Sequence, residues 1–249
     1  MRILEAHTGI SAKIAQKAGF DGIWISSLTE SASKGLPDNE LTAGEERLRT
    51  IREIRRVCDL PIIVDWDTGG KAEHLLHWIP ELEKAGVDIV VLEDKTGLKK
   101  NSLLKEAEHI LEDIDVFSDK LMAAKGAVDN MLVFARVESL IAKKSMYNAL
   151  IRAEAYLQSG ADGIVIHSKQ QISAEEVMTF AYKFKKQFNK PLMAIPTTYN
   201  LPKKHQFDIV VYANHMLRAS VKAMQVAADK LIKDDKNIDM ISVKELLCI

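Results

Sequence analysis

Two cysteines, Cys58 and Cys248, are too few for a disulfide framework and too isolated for a CxxC metal site. They read as reduced thiols of a cytoplasmic protein. No apolar run approaches the roughly 20 residues that cross a bilayer. The opening Met1-Arg2-Ile3-Leu4-Glu5 is too short in apolar character for a secretory signal. An excess of one charge is missing as well: 34 Lys and Arg stand against 35 Asp and Glu, for a formal net charge of −1. Neither a nucleic acid nor an anionic membrane is therefore the expected partner. No Gly-rich dinucleotide fingerprint follows the first strand, which counts against a doubly wound nucleotide-binding sheet. Linkers and low-complexity tracts are also lacking, so residues 1–249 are expected to form a single domain.

What is present is a repeated junction. Ala18-Gly19-Phe20-Asp21-Gly22-Ile23, Ala85-Gly86-Val87-Asp88-Ile89-Val90 and Ser159-Gly160-Ala161-Asp162-Gly163-Ile164 each close a helical stretch and open an apolar run. The first Gly suits the left-handed position after a helix, and the run that follows suits a strand buried on both faces. Apolar runs predict strands over 2–6, 22–26, 62–65, 89–93, 131–137, 163–167, 192–196 and 209–212. Helical spacing predicts helices over 11–17, 44–58, 72–84, 103–125, 145–158, 174–188 and 214–233, with a short amphipathic helix over 241–247. Strands alternating with helices over 249 residues predict an α/β fold, a closed (β/α)8 TIM-type barrel.

Barrel sites form at the C-terminal ends of strands. Those ends carry Glu5 and His7; Trp24, Ser26 and Ser27; Asp65 and Asp67; Glu93 and Asp94; Arg136 and Glu138; His167 and Ser168; Thr197 and Thr198; and Asn214 and His215. Asp65-Trp66-Asp67 with Glu93 makes an all-oxygen group. Such carboxylates repel unless a hard cation joins them, and Mg2+ binds through few carboxylates while keeping several waters. The alternative is that Asp67 caps the next helix and Glu93 pairs with Lys95. Arg136, near the end of an apolar strand, requires an anion, either Glu138 or another carboxylate of the chain, or a phosphoryl or carboxylate ligand. His167 is either a satisfied core histidine or a ligand contact. After Glu93 the chain runs through a polar segment containing Lys99, Asn101 and Ser102, which reads either as half of a site for an anion held beside a metal or as a solvated βα loop.

These residues carry a resemblance. Its anchors include Glu5-Ala6-His7-Thr8-Gly9-Ile10-Ser11-Ala12, Asp65-Trp66-Asp67-Thr68-Gly69, Ala135-Arg136-Val137-Glu138, His167-Ser168-Lys169 and Ala213-Asn214-His215. The most specific is Glu93-Asp94-Lys95, three residues, then Lys99-Lys100-Asn101-Ser102. Over nearly its whole length the chain resembles the phosphoenolpyruvate mutase subgroup of the isocitrate lyase/phosphoenolpyruvate mutase superfamily. That subgroup carries EDKxxxKxNS here, while the lyases carry a KKCGH-like loop whose catalytic Cys is absent from this segment.

The resemblance implies Mg2+-dependent interconversion of phosphoenolpyruvate and phosphonopyruvate, the opening step of phosphonate biosynthesis. It implies Asp65 as the direct Mg2+ ligand, with Asp67 and Glu93 holding its waters. The backbone of Ser26, Ser27 and Leu28 would hold the substrate carboxylate, and Trp24 would shape the pocket. Asp38 would stand near the transferring phosphoryl group, and Arg136, His167, Asn101 and Ser102 would hold phosphoryl and enolate oxygens. Lys99 to Ser102 would lie on a gating loop. A homo-oligomer, dimer or tetramer, with C-terminal helices exchanged or packed between subunits is also implied. Related readings are phosphonopyruvate hydrolase, a lyase or decarboxylase acting on another 2-oxo or 2-hydroxy acid, and a catalytically silent oxyacid-binding barrel. Asn101 favours the mutase within this group. The chain departs from the pattern in three places. Thr68-Gly69-Gly70-Lys71 replaces TGYGN, Ser27 stands where a Gly is expected, and the chain opens directly on the first strand, leaving the barrel's lower end to another element or subunit.

Overall fold

A computed structural model describes residues 1–97, 99–104, 106–170, 172–196, 199–202 and 206–249. Parallel strands close a barrel in chain order: β1 (Arg2–Glu5), β2 (Gly22–Ile25), β3 (Ile62–Asp65), β4 (Ile89–Glu93), β5 (Leu132–Val137), β6 (Gly163–Ile166), β7 (Leu192–Ala194) and β8 (Ile209–Tyr212). Around it lie α1 (Gly9–Lys17), α2 (Ser27–Ser33), α3 (Gly44–Arg55), α4 (Ala72–Lys84), α5 (Ile114–Gly126), α6 (Met146–Gln158), α7 (Glu175–Gln187), α8 (His215–Leu231) and α9 (Val243–Leu247). The chain is a (β/α)8 barrel, as the alternation of patterns predicts. Among the described residues no helix is long and apolar enough to cross a membrane.

The repeated junctions set the strand register. Gly19, Gly86 and Gly160 all take positive φ, which reverses the chain after α1, α4 and α6. The Asp of each junction then clasps the strand before it. Asp21 Oδ2 accepts the Arg2 amide at 2.6 Å, Asp88 Oδ2 the Ile62 amide at 2.8 Å and Asp162 Oδ2 the Val133 amide at 2.8 Å. Each Asp amide donates back to the carbonyl of the same residue. Asp208 does the same to Leu192 before β8, although its junction lacks the glycine. The strands are thus fastened in pairs at the lower end of the barrel.

Strand alternation decides what fills the bore. Ile3, Trp24, Ile63, Ile89, Val91, Phe134, Val165, Met193, Ile195, Ile209 and Val211 point inward and form one buried cluster. Glycines make room for the larger members: a Cβ on Gly163 would stand 2.5 Å from the Phe134 ring. Ile3, Ile89 and Ile209 of the chain itself are buried toward the lower end. The outward residues of the strands pack with the helices in a second cluster.

The helix expected over 103–125 begins only at Ile114. Asp113 caps it, its Oδ1 accepting the amide of Asp115 at 2.9 Å. Upstream, Thr96 donates to the Ile110 carbonyl and Glu112 to the Asp94 carbonyl, a short antiparallel stem closed by the Lys95–Leu111 bridge. The segment between is a loop. Its apolar residues misled the periodicity, for Leu104 and Ile110 are exposed. The short helix α2 had no expectation, because its Ser-rich sequence carries no apolar stripe. Thr197 and Thr198, at the expected end of the seventh strand, lie outside the described residues.

The Asp clasps are open to test. Asp162→Ala should lower unfolding free energy by roughly 1–3 kcal/mol, because the Val133 amide loses its acceptor. Asp162→Asn keeps a carbonyl there and should recover most of it. Urea midpoints read both, and an unchanged midpoint for the alanine variant would show that the clasp adds nothing.

Candidate active site

The inward alternation that fills the bore with apolar side chains continues to the strands' C-terminal ends, where the residue types change. Asp65, Glu93, Arg136 and His167 occupy inward positions there, and all are buried. The β4–β5 register sets Glu93 directly beside Arg136. The guanidinium is shared: Nε donates to Glu138 Oε1 at 2.6 Å, Nη1 to Asp65 Oδ2 at 3.3 Å and Nη2 to Ser102 Oγ at 3.1 Å. Glu93 Oε2 lies 3.5 Å from Nη1. Glu138, one of the partners the sequence offered for Arg136, is therefore its primary ion pair.

The loop after β4 closes over this group. Ser102 Oγ donates to Glu138 Oε2 at 2.7 Å and accepts from Lys95 Nζ at 2.9 Å. Lys95 Nζ also lies 3.1 Å from Glu93 Oε1, so the pairing the sequence allowed between them exists. Asn101 Nδ2 donates to Asp38 Oδ2 at 2.6 Å, and Lys99 Nζ donates to Asp38 Oδ1 at 2.6 Å and to Ser27 Oγ at 2.5 Å. Lys99 Nζ is also paired with Asp67 Oδ1. Asp67 does not cap the next helix, whose N-cap is Lys71. It takes a left-handed φ of 57°, a conformation Asp tolerates better than most residues.

Trp24, Ser26, Ser27, Leu28, Asp38, Asp65, Glu93, Lys99, Asn101, Ser102, Arg136 and His167 all line one cleft. Asp67 stands behind Lys99. With the loop down, the free space is about 40 Å³, room for about three waters. Ser26 to Leu28 form the start of α2, where no side chain caps the first-turn amides. Glu5 and His7 are not brought to the cleft. Glu5 Oε2 accepts the amides of Met216 and Leu217 at the start of α8, and its Oε1 pairs with His7 Nδ1 at 2.7 Å.

One contributor was missed, Arg47, and two residues the sequence named, Lys95 and Asp94, make more contacts than it implied. Arg47, on α3, donates to Asp67 Oδ2 at 3.1 Å and to the Asp65 carbonyl, and its guanidinium lies 4.1 Å from the Trp66 ring centroid. The available signal was its place on the stripe it shares with Ile51 and Ile54, where a charge needs a buried partner. Lys95, in the middle of the recognised motif, ties Glu93, Glu138 and Ser102 together. Asp94 accepts the Glu138 amide at 2.8 Å, Arg152 Nη1 at 3.0 Å and the Tyr156 hydroxyl at 2.8 Å, so α6 fixes the end of β5.

Burial and neighbouring charge pull these groups apart. Burial pushes Glu93 up to about 7 and also raises Asp65, in both cases against the Arg136 charge. Burial would raise Glu138 too, but Arg136 and Lys95 overcome it and hold that carboxylate low. Asp67 is likewise lowered, burial being outweighed by Lys99 and Arg47. His167 is lowered to about 4 by burial and then by Arg136. Its Nδ1 lies 3.0 Å from the Ile195 carbonyl, which can only accept, so the neutral ring carries its proton on Nδ1.

A (β/α)8 barrel whose strand ends gather buried carboxylates, a guanidinium and a covering loop has the layout on which barrel enzymes build their sites. A model of the phosphoenolpyruvate phosphomutase family matches residues 1–232, and the chain belongs to that family, within the phosphoenolpyruvate mutase/isocitrate lyase superfamily of enzymes. It is 35% identical over 257 residues to a phosphonopyruvate hydrolase of Variovorax sp. (strain Pal2), covering 98% of this chain and 88% of that one. It is 35% identical over 246 residues to a phosphoenolpyruvate phosphomutase of Tetrahymena pyriformis, covering 96% and 81%. The crystal structure of a phosphonopyruvate hydrolase complex with oxalate and Mg2+ superposes with a TM-score of 0.89 at 33% identity, covering 99% and 88%.

His167 supplies a pH test. The unfolded chain takes up its proton near the ordinary 6.5, the folded chain only near 4. Between those values the unfolded state binds more protons, so this group's contribution to stability falls as pH falls, by up to about 3 kcal/mol. His167→Asn should flatten that part of the profile. Denaturation midpoints from pH 7 to pH 4 in the presence of a chelator read the difference, and parallel profiles for the two proteins would contradict it.

Proposed function

We propose that the chain interconverts phosphoenolpyruvate and phosphonopyruvate with Mg2+ as cofactor. The observation that carries this reading is the cover over the cleft: Lys99, Asn101 and Ser102 are drawn onto Asp38, Asp67 and Glu138 beside a guanidinium, leaving room for about three waters. A rearrangement needs water kept out, because a loosely held phosphoryl group is otherwise hydrolysed. The relatives include both a mutase and a hydrolase at equal identity. Asn101 and the closed cover favour the rearrangement.

The carboxylates fit Mg2+. Among the described residues no three His, Cys, Asp or Glu side chains enclose an ion unaided, which suits a cation held through few carboxylates and several waters. Asp65 is the direct ligand in this reading, with Asp67 and Glu93 on the waters. Glu93 Oε1 has Lys95 Nζ 3.1 Å away, and burial still raises the proton affinity of Asp65 and Glu93 against the cations beside them. Bound there, Mg2+ supplies positive charge beside the oxygen that becomes an enolate. The related hydrolase complex with oxalate and Mg2+ supports the assignment.

The chain's own residues supply the rest. The amides of Ser26 to Leu28 hold the substrate carboxylate, with Trp24 as the wall. Arg136, Asn101, Ser102 and His167 surround the phosphoryl oxygens, and Asp38 faces the phosphorus. The phosphorus–oxygen bond breaks, the phosphorus–carbon bond to C3 forms, and no water or second reactant is consumed. The donors are in place before the charge moves, which is where preorganised groups act most strongly.

The test is ³¹P NMR with phosphonopyruvate and Mg2+. Conversion to phosphoenolpyruvate, abolished by a chelator, is expected. Inorganic phosphate as the sole new signal would make the chain a hydrolase, and an unchanged spectrum would leave another 2-oxo or 2-hydroxy acid or a silent barrel. Asn101→Ala should lose about 10²–10³ in kcat with the fold intact. Helix α8 buries only Leu217 and exposes Val221, Met224, Leu231 and Ile232, in keeping with packing on a second copy of the chain. Sedimentation velocity should then give a dimer or tetramer, and a monomer would remove that reading.

A further inference from the structure

The cation now lodged among the site's carboxylates is a lysine. Lys99 Nζ has three protons to donate, and three acceptors surround it: Asp38 Oδ1 at 2.6 Å, Ser27 Oγ at 2.5 Å and Asp67 Oδ1. The side chain is 3% exposed. Ser27 stands where the resemblance leads one to expect a Gly, and its hydroxyl completes the cage.

Charge sets the same condition. Asp38, Asp65, Asp67, Glu93 and Glu138 face Arg47, Lys95, Lys99 and Arg136, while Glu30 nearby pairs with Lys34. With Lys99 counted, the group is within one charge of balance. With it withdrawn, the excess is two negative charges, the amount one divalent ion neutralises. The narrow cleft leaves about 40 Å³ of free space beside the ammonium.

We propose that the Lys99 ammonium is the resident cation of this carboxylate group in the metal-free protein, and that a divalent metal enters by displacing it from Asp67, Asp38 and Ser27. The inference rests on the reading of Asp65, Asp67 and Glu93 as the metal site. It makes the metal and the closing loop competitors for one set of oxygens. Metal entry alone loosens the loop, and the freed lysine is then available to an anionic substrate, which restores the balance of charge. Metal first and anionic substrate second is the order that follows.

Mn2+ is the probe, since it takes the same oxygen ligands, and the loss of the free-ion EPR signal measures binding without turnover. Lys99→Met should bind Mn2+ about tenfold or more tightly than wild type. Removing a positive charge would tighten binding even at a distance, so Ser27→Gly decides the mechanism. It changes no charge, only the cage, and should tighten binding a few-fold. Tightening in Lys99→Met alone would mean simple repulsion and would overturn displacement, as would equal affinity in all three proteins. No Mn2+ binding by any of them, with circular dichroism showing a folded chain, would overturn the metal-site reading itself. Should Lys99→Met not fold, wild type suffices for a second measurement. Mn2+ should speed cleavage by a lysine-specific protease at Lys99 and Lys100, and unchanged or slower cleavage would overturn the proposal.

Discussion

A charge cannot remain in an apolar bore without a partner, and the upper half of this barrel is arranged around that constraint. Arg136 projects from β5 above a layer of Phe134, Val91 and Val165, with no bulk water to screen it. Glu138, Asp65 and Glu93 converge on it because alternation brings each to the inward face at neighbouring strand ends. Three carboxylates around one guanidinium leave surplus negative charge. Lys95 reaches in from the loop to share Glu93 and Glu138, and Arg47 comes from α3 to Asp67. The site is a set of mutually dependent ion pairs, and its composition follows from the need for near neutrality out of water.

The loop after β4 belongs to the same electrostatic unit. Its stem is short, a few antiparallel hydrogen bonds between residues 94–96 and 110–112. Its tip has little apolar burial to hold it down. What draws it onto the cleft is the pairing of Lys99, Asn101 and Ser102 with carboxylates that belong to the barrel. A cover fastened by charge responds to charge. A divalent cation or an anionic substrate changes the balance that fastens it, whereas a cover held by apolar packing would be indifferent to either. The rigid supports lie elsewhere: Asp94 with Arg152 and Tyr156 beneath β5, and the Asp clasps that pair the strands at the lower end.

How much was legible in the chain depended on whether the signal was local. The strands were, because each is a short apolar run bounded by Gly, Asp or Pro, and the observed limits differ from the expected ones by a residue or two. The junction glycines and aspartates were visible as a repeat, although the hydrogen bonds they make cross to another strand and could not be read. The candidate residues from Trp24 to His167 share one cleft with Asp67 just behind, because barrel topology sends every strand's end to the same rim. The helix expected from Leu103 failed for the opposite reason. Leu103, Leu104 and Ile110 have helical spacing, but Asp113 caps a later start and the Asp94 carbonyl holds Glu112 in a ladder. Arg47 went unnoticed because its partners lie on another element.

By itself the sequence determined the barrel, the order of its elements and the residue types at the strand ends. Those depend on local propensity and on a two-residue alternation that any strand obeys. Only the tertiary structure decided which charges pair: that Arg136 is divided among Glu138, Asp65 and Ser102, that Glu5 turns away to cap α8, and that Lys99 rests in a cage of Asp38, Asp67 and Ser27. Electrostatic energy depends on distance through space and on exclusion of water, and neither is a property of separation along the chain.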